Sequence, residues 1–115
     1  MIRLHVWQQN LNTSLTAQHS LLNGPITNKW DVIALQEPHI NHMKNTISSP
    51  YFHAIYPTTH FSSPKTTSHA VTLISKSLNT NSWQQIPFPS PDVVVTQFLG
   101  PFGQCTVFNI YNNCT

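Results

Sequence analysis

The sequence predicts an α+β fold, a sheet layer with one helix on its face, and three observations carry that prediction. Helical periodicity occurs once, from a cap at Thr13 or Ser14 through Ala17 to Leu22, whereas strand-like runs recur along the rest of the chain. That helix lies between two strand-like runs, 2–9 and 31–36, in the order of a β-α-β crossover. The last two apolar runs are separated only by Gly100-Pro101-Phe102-Gly103, the turn of an antiparallel hairpin. At 115 residues the chain is at most one domain, which buries roughly two-thirds of the surface its unfolded form exposes.

Each element has a local reason. Residues 2–9, IRLHVWQQ, alternate Ile2, Leu4 and Val6 against Arg3, His5 and Trp7, the period of a strand with one face in a core. Thr13 or Ser14 is placed to cap the helix, Leu15, Leu21 and Leu22 give it an apolar face, and Asn23-Gly24-Pro25 stops it. Residues 31–36 form a continuous apolar run, as expected of a strand covered on both faces. A polar loop over 38–50 leads to a short strand at 51–56, closed by Pro57. A Ser/Thr/Pro-rich loop over 58–68 leads to a strand at 69–76. Residues 82–88 read as an edge strand, because Pro87, Pro89 and Pro91 cannot donate to a ladder. Runs 92–99 and 105–112 make the hairpin, and the sequence stops directly after it, so the chain reads as a cut through a domain with an uncovered edge.

Composition excludes more than it names. Charged residues make up 7% of the chain, against about a quarter in an average domain, and the formal charge is +2. That is too little to argue for nucleic acid from charge alone. The opening lacks the apolar core of a signal peptide, and no run is long and apolar enough to span a membrane. Cys105 and Cys114 lie in or near one predicted strand, which would hold them roughly 30 Å apart. Both are expected to be free thiols in a reducing, intracellular setting, with no disulfide partner.

The stretch that concentrates chemistry is 30–38, WDVIALQEP. It delivers Glu37, one of three acidic residues in the chain, to the end of its most continuous apolar strand. A carboxylate in that setting is either a solvated turn residue or a charge met by a cation or strong donors. Asn10 and Asn12 follow the first strand, where they serve either as helix cap and Asx turn or as oxygen and N–H partners of a ligand. Tyr111 ends the last strand, as a half-buried packing aromatic or as a hydrogen-bond donor.

Taken together, Gln9-Asn10-Leu11-Asn12, Leu35-Gln36-Glu37-Pro38 and Asn109-Ile110-Tyr111-Asn112 resemble the metal-dependent endonuclease/exonuclease/phosphatase superfamily, in particular the endonuclease domains of non-LTR retrotransposons. The resemblance implies a layered β-sandwich of that type, truncated to about its first half, with residues 1–115 as a partial domain. It implies Glu37 as ligand of Mg²⁺, with Mn²⁺ as substitute, and Asn12 beside the metal. Asn10 would orient Glu37 or touch phosphate, and Tyr111 would donate to the scissile phosphate or its leaving group. The implied reaction is in-line attack of water on a phosphodiester, the implied partner DNA, and the implied location nuclear.

The family's Asp-x-Asn pair and terminal Asp-His pair have no counterpart here, and Asn113 stands where an aspartate is expected. The chain alone is therefore expected not to cleave DNA at a useful rate. Two rivals follow from the residues. One is zinc held by His39, His42, His53, His60 and His69, of which His39 and His42 are three apart, but with no cysteine near them to supply the thiolates usual in structural sites. The other is a non-catalytic relic or binding module that keeps the strands without the chemistry.

Overall fold

Val32–Gln36 (β2) is the strand around which the first sheet is built, and all five of its residues are buried, as its unbroken apolar run requires. The computed structural model describes residues 3–24, 29–40, 49–60 and 67–112. On one side of β2, Val6–Asn10 (β1) pairs in parallel, with Val6 opposite Val32 and Asn10 opposite Gln36. On the other side, Ala70–Ser75 (β4) pairs antiparallel, followed by Phe52–Ile55 (β3), giving the order β1-β2-β4-β3. A second, antiparallel sheet holds Trp83–Ile86 (β5), Val93–Gly100 (β6) and Gly103–Ile110 (β7), in that order.

The layers follow from strand alternation. Ile33 and Leu35 face a cluster with Leu11, Leu22, Phe52, Val71 and Leu73, which the helix Leu15–Asn23 (α1) covers through Ala17 and Leu21. Val32 and Ile74 face the opposite way and meet Phe98 of β6, with Trp83 and Val107 packed around them. The order is therefore helix, first sheet, second sheet. Each fully buried Leu, Ile or Phe contributes roughly 1.5–3 kcal/mol.

Ser14 is the helix cap, its Oγ accepting from the Ala17 N–H at 3.1 Å. The hairpin turns at Pro101-Phe102, with Gly100 paired to Gly103. Gly103 has φ +96°, a conformation that glycine adopts without strain. β5 is an edge strand, as expected, but it ends at Ile86, so Pro87, Pro89 and Pro91 all lie beyond it. Cys105 is a free thiol, while Asn113, Cys114 and His42 lie outside the described residues.

Several expectations are corrected. β1 does not bury one face: Val6 and Trp7 are both exposed, because β1 is the edge of its sheet. Leu15 points to solvent, and Gln18 takes the buried place on the helix with Leu22. The 3₁₀ turn Thr80–Ser82, begun by the Asn79 side chain, was not legible. In β7 the one fully buried residue is polar, Asn109, while Phe108 and Ile110 are exposed. Among the described residues no helix is long and apolar enough to cross a membrane.

Candidate functional site

Because β1 and β2 run in parallel, their C-terminal ends share one rim, and the antiparallel β4 begins there. Backbone hydrogen bonds stitch the rim together. Leu11 donates to Gln36 at 2.9 Å, Thr13 to Glu37 at 2.8 Å and Glu37 to His69 at 2.8 Å. Toward the second sheet, His69 donates to the Pro91 carbonyl at 3.0 Å, and within that sheet's end Tyr111 donates to the Asp92 carbonyl at 2.8 Å. The phenol of Tyr111 then reaches across the seam and donates to Glu37 Oε1 at 3.3 Å.

The backbone at this rim is strained. Asn12, Thr13 and Glu37 have φ of 53°, 58° and 49°, the only positive values outside glycine among the described residues. Each left-handed non-glycine residue costs about 1–2 kcal/mol, and Asn least, since its side chain bonds locally. For a β-branched Thr and a Glu to hold that conformation, the surrounding bonds must over-determine it, a pattern that clusters at functional sites.

The acids are placed unequally. Asp31, at the opposite rim, accepts from the His5 N–H at 2.8 Å, and Asp92 pairs with His69 Nδ1 at 2.6 Å. Among the described residues, the Glu37 carboxylate meets only the neutral phenol, and no cation contacts it. Arg3 and Lys29 precede β1 and β2, and Lys76 follows β4, so all three described Lys and Arg residues belong to the opposite rim.

Asn10 and Asn12 lie on the Glu37 rim, but neither side chain hydrogen-bonds to the carboxylate among the described residues. Asn10 Oδ1 accepts from the Asn12 N–H at 2.8 Å, an Asx turn, which leaves its Nδ2 without a protein acceptor among the described residues. The connection of this turn to Glu37 is made by backbone, through Thr13.

Three buried amides hold the rim and were not singled out from sequence. Gln18, 1% exposed, clamps the backbone of His39, donating to its carbonyl at 3.2 Å and accepting from its N–H at 2.8 Å. This fixes the chain two residues after Glu37. Gln8 donates to Gln36, and Gln36 donates to Asn109 Oδ1 at 2.6 Å. Asn109 Nδ2 lies within 3.0–3.1 Å of the Leu35 and Val71 carbonyls and Thr72 Oγ1, so one side chain ties β7 to β2 and β4. A polar residue in the apolar face of α1 is a signal for Gln18. No spacing signal exists for the His69–Asp92 pair. Among the described residues, no three His, Cys, Asp or Glu side chains gather as a metal site, so His39, His53, His60 and His69 do not converge.

No protein-family model and no curated protein matches the chain. Among solved structures, it is similar to the endonuclease domain of TRAS1, a telomere-specific non-LTR retrotransposon, with a TM-score of 0.64 and 18% identity. The likeness is one of fold: it covers 96% of this chain and 45% of the TRAS1 domain chain. The layered α+β reading thus agrees with both the architecture and its structural relative.

Proposed function

We propose that this chain carries the carboxylate rim of a metal-dependent phosphodiesterase in the endonuclease/exonuclease/phosphatase superfamily, of retrotransposon endonuclease type, with DNA as substrate. The observation that carries the proposal is the Tyr111–Glu37 hydrogen bond between the two sheets, at a rim where Glu37 has no cationic partner among the described residues. The fold likeness to a retrotransposon endonuclease domain supports it.

The donors suit a hard cation. The Glu37 carboxylate and the amide oxygen of Asn12 are both oxygen ligands, and Mg²⁺ is commonly held by one or two carboxylates with waters and substrate phosphates completing its shell. Glu37 would hold Mg²⁺ or Mn²⁺, with Asn12 beside it. Bound there, the ion supplies electrostatic stabilisation of phosphoryl oxygens. The chain's own groups contribute hydrogen bonds: Asn10 Nδ2 is available to a phosphoryl oxygen, and the Tyr111 phenol can turn from Glu37 to a substrate oxygen.

A second reading, a relic or binding module, is favoured by one observation: Asn10 Oδ1 is already committed to the Asn12 N–H. Metal titration separates the two. Mn²⁺ should broaden NMR signals of residues around Glu37, and Glu37→Gln should abolish the broadening. Absence of any Mn²⁺ effect in the parent chain selects the relic.

A further inference from the structure

We infer that His69 and Asp92 form a positioning pair for Tyr111, setting the angle at which its phenol meets Glu37. This deepens the reading above and rests on Glu37 and Tyr111 serving one site. Four contacts carry it. His69 Nδ1 lies 2.6 Å from Asp92 Oδ1, a short bond that fixes the ring's orientation. The His69 ring packs beside the Tyr111 ring, with centroids 5.0 Å apart and planes inclined by 34°. Asp92 accepts the Tyr111 backbone N–H at 2.8 Å, so it sets Tyr111 both directly and through His69. The His69 carbonyl accepts the Glu37 N–H at 2.8 Å, so the same residue also registers the carboxylate.

Glu37, His69, Asp92 and Tyr111 thus close a circuit: Glu37 to His69 by backbone, His69 to Asp92 by side chain, Asp92 to Tyr111 by backbone, and Tyr111 back to Glu37 by its phenol. The last link, at 3.3 Å, is longer than an O–H···O bond usually is. A bond that long does not orient a tyrosine ring by itself, and the His69 ring packed beside it adds to its placement. An ordinary surface His–Asp pair is the competing account, since the two side chains are 40% and 32% exposed. Such a pair would contribute to folding without governing the phenol, and that difference is measurable.

The test is the ultraviolet resonance Raman Fermi doublet of tyrosine, which reports whether a phenol donates its proton. The contribution of Tyr111, one of three tyrosines, is isolated by difference from Tyr111→Phe. His69→Ala and Asp92→Ala should lose the donor signature of Tyr111 while circular dichroism remains that of the folded chain. Asp92→Asn, which keeps an acceptor for Nδ1–H, should retain it. An unchanged signature in either folded alanine variant overturns the inference, and Asp92→Ala serves should His69→Ala fail to fold. Mn²⁺ titration of the same samples keeps the two readings apart. If the signatures behave as stated but Mn²⁺ leaves the Glu37 region untouched, the proposed function fails and the positioning of Tyr111 stands.

Discussion

Tyr111 donates to Glu37 across a sequence separation of 74 residues, from the end of one sheet to the end of the other. At 3.3 Å the bond is weak, so its value lies in placement more than in stability. Tyr111→Phe should lower the free energy of unfolding by less than about 1 kcal/mol, read from urea denaturation. A loss several times larger would show that the hydroxyl is a structural strut.

Glu37 holds φ +49°, and glycine at that position relieves the strain. Glu37→Gly should stabilise the fold by about 1 kcal/mol, while removing the Mn²⁺ effect at the rim. The denaturation midpoint and the metal titration are read on the same protein. Destabilisation by this variant would mean that the carboxylate contributes more to folding than its backbone costs.

Asn109 is 1% exposed and serves acceptors on two strands while accepting from Gln36. Asn109→Leu leaves a buried donor and several acceptors unmet and should cost roughly 3 kcal/mol or more. Chemical denaturation checks this, and a cost below about 1 kcal/mol would show that water replaces the side chain.

Gln18 fastens the chain just after Glu37. Gln18→Leu is close in volume but cannot bond to His39, so the His39 amide should exchange faster with deuterium than in the parent. Unchanged exchange at His39, with the fold intact, would show that Pro38 and its neighbours hold the turn without the clamp.

Leu99, Phe108 and Ile110 are 62%, 58% and 56% exposed on the second sheet. An exposed apolar sheet face of this kind drives association. The chain should elute as a mixture of sizes, and Phe108→Lys with Ile110→Thr should shift it toward monomer, read by light scattering after gel filtration.

Much of this was legible in residue pattern. The burial of β2, the cap at Ser14 and the hairpin at Pro101-Phe102 each follow from a local rule that tertiary contacts left intact; β5 is at the edge as expected, although the prolines that suggested it lie beyond its end. The common rim of Asn10, Glu37 and Tyr111 follows from strand direction. What escaped depends on partners distant in sequence. β1 alternates as a half-buried strand should, yet its burial is set by what lies beside it, and it lies at an edge. Gln18, His69 and Asp92 gain their roles from partners 21 or more residues away. An Asx turn at Asn10 and a ligand-facing Asn10 share one sequence, and the structure shows the turn.

The buried amides have a consequence for which strand arrangement the sequence selects. Strands ordinarily find their alignment by hiding alternate apolar residues, and a slip by one residue exposes them all. β7 gains little from that rule, because Phe108 and Ile110 face outward already. Its alignment is instead written in hydrogen bonds that run one way, from Gln8 through Gln36 to Asn109 and on to the carbonyls of β2 and β4. Moving β7 by a single residue would set Phe108 or Ile110 against those carbonyls and leave Gln36 with nothing to donate to. Asn109 therefore works as an alignment pin, and since Tyr111 follows it by two residues, the pin also decides where the phenol arrives.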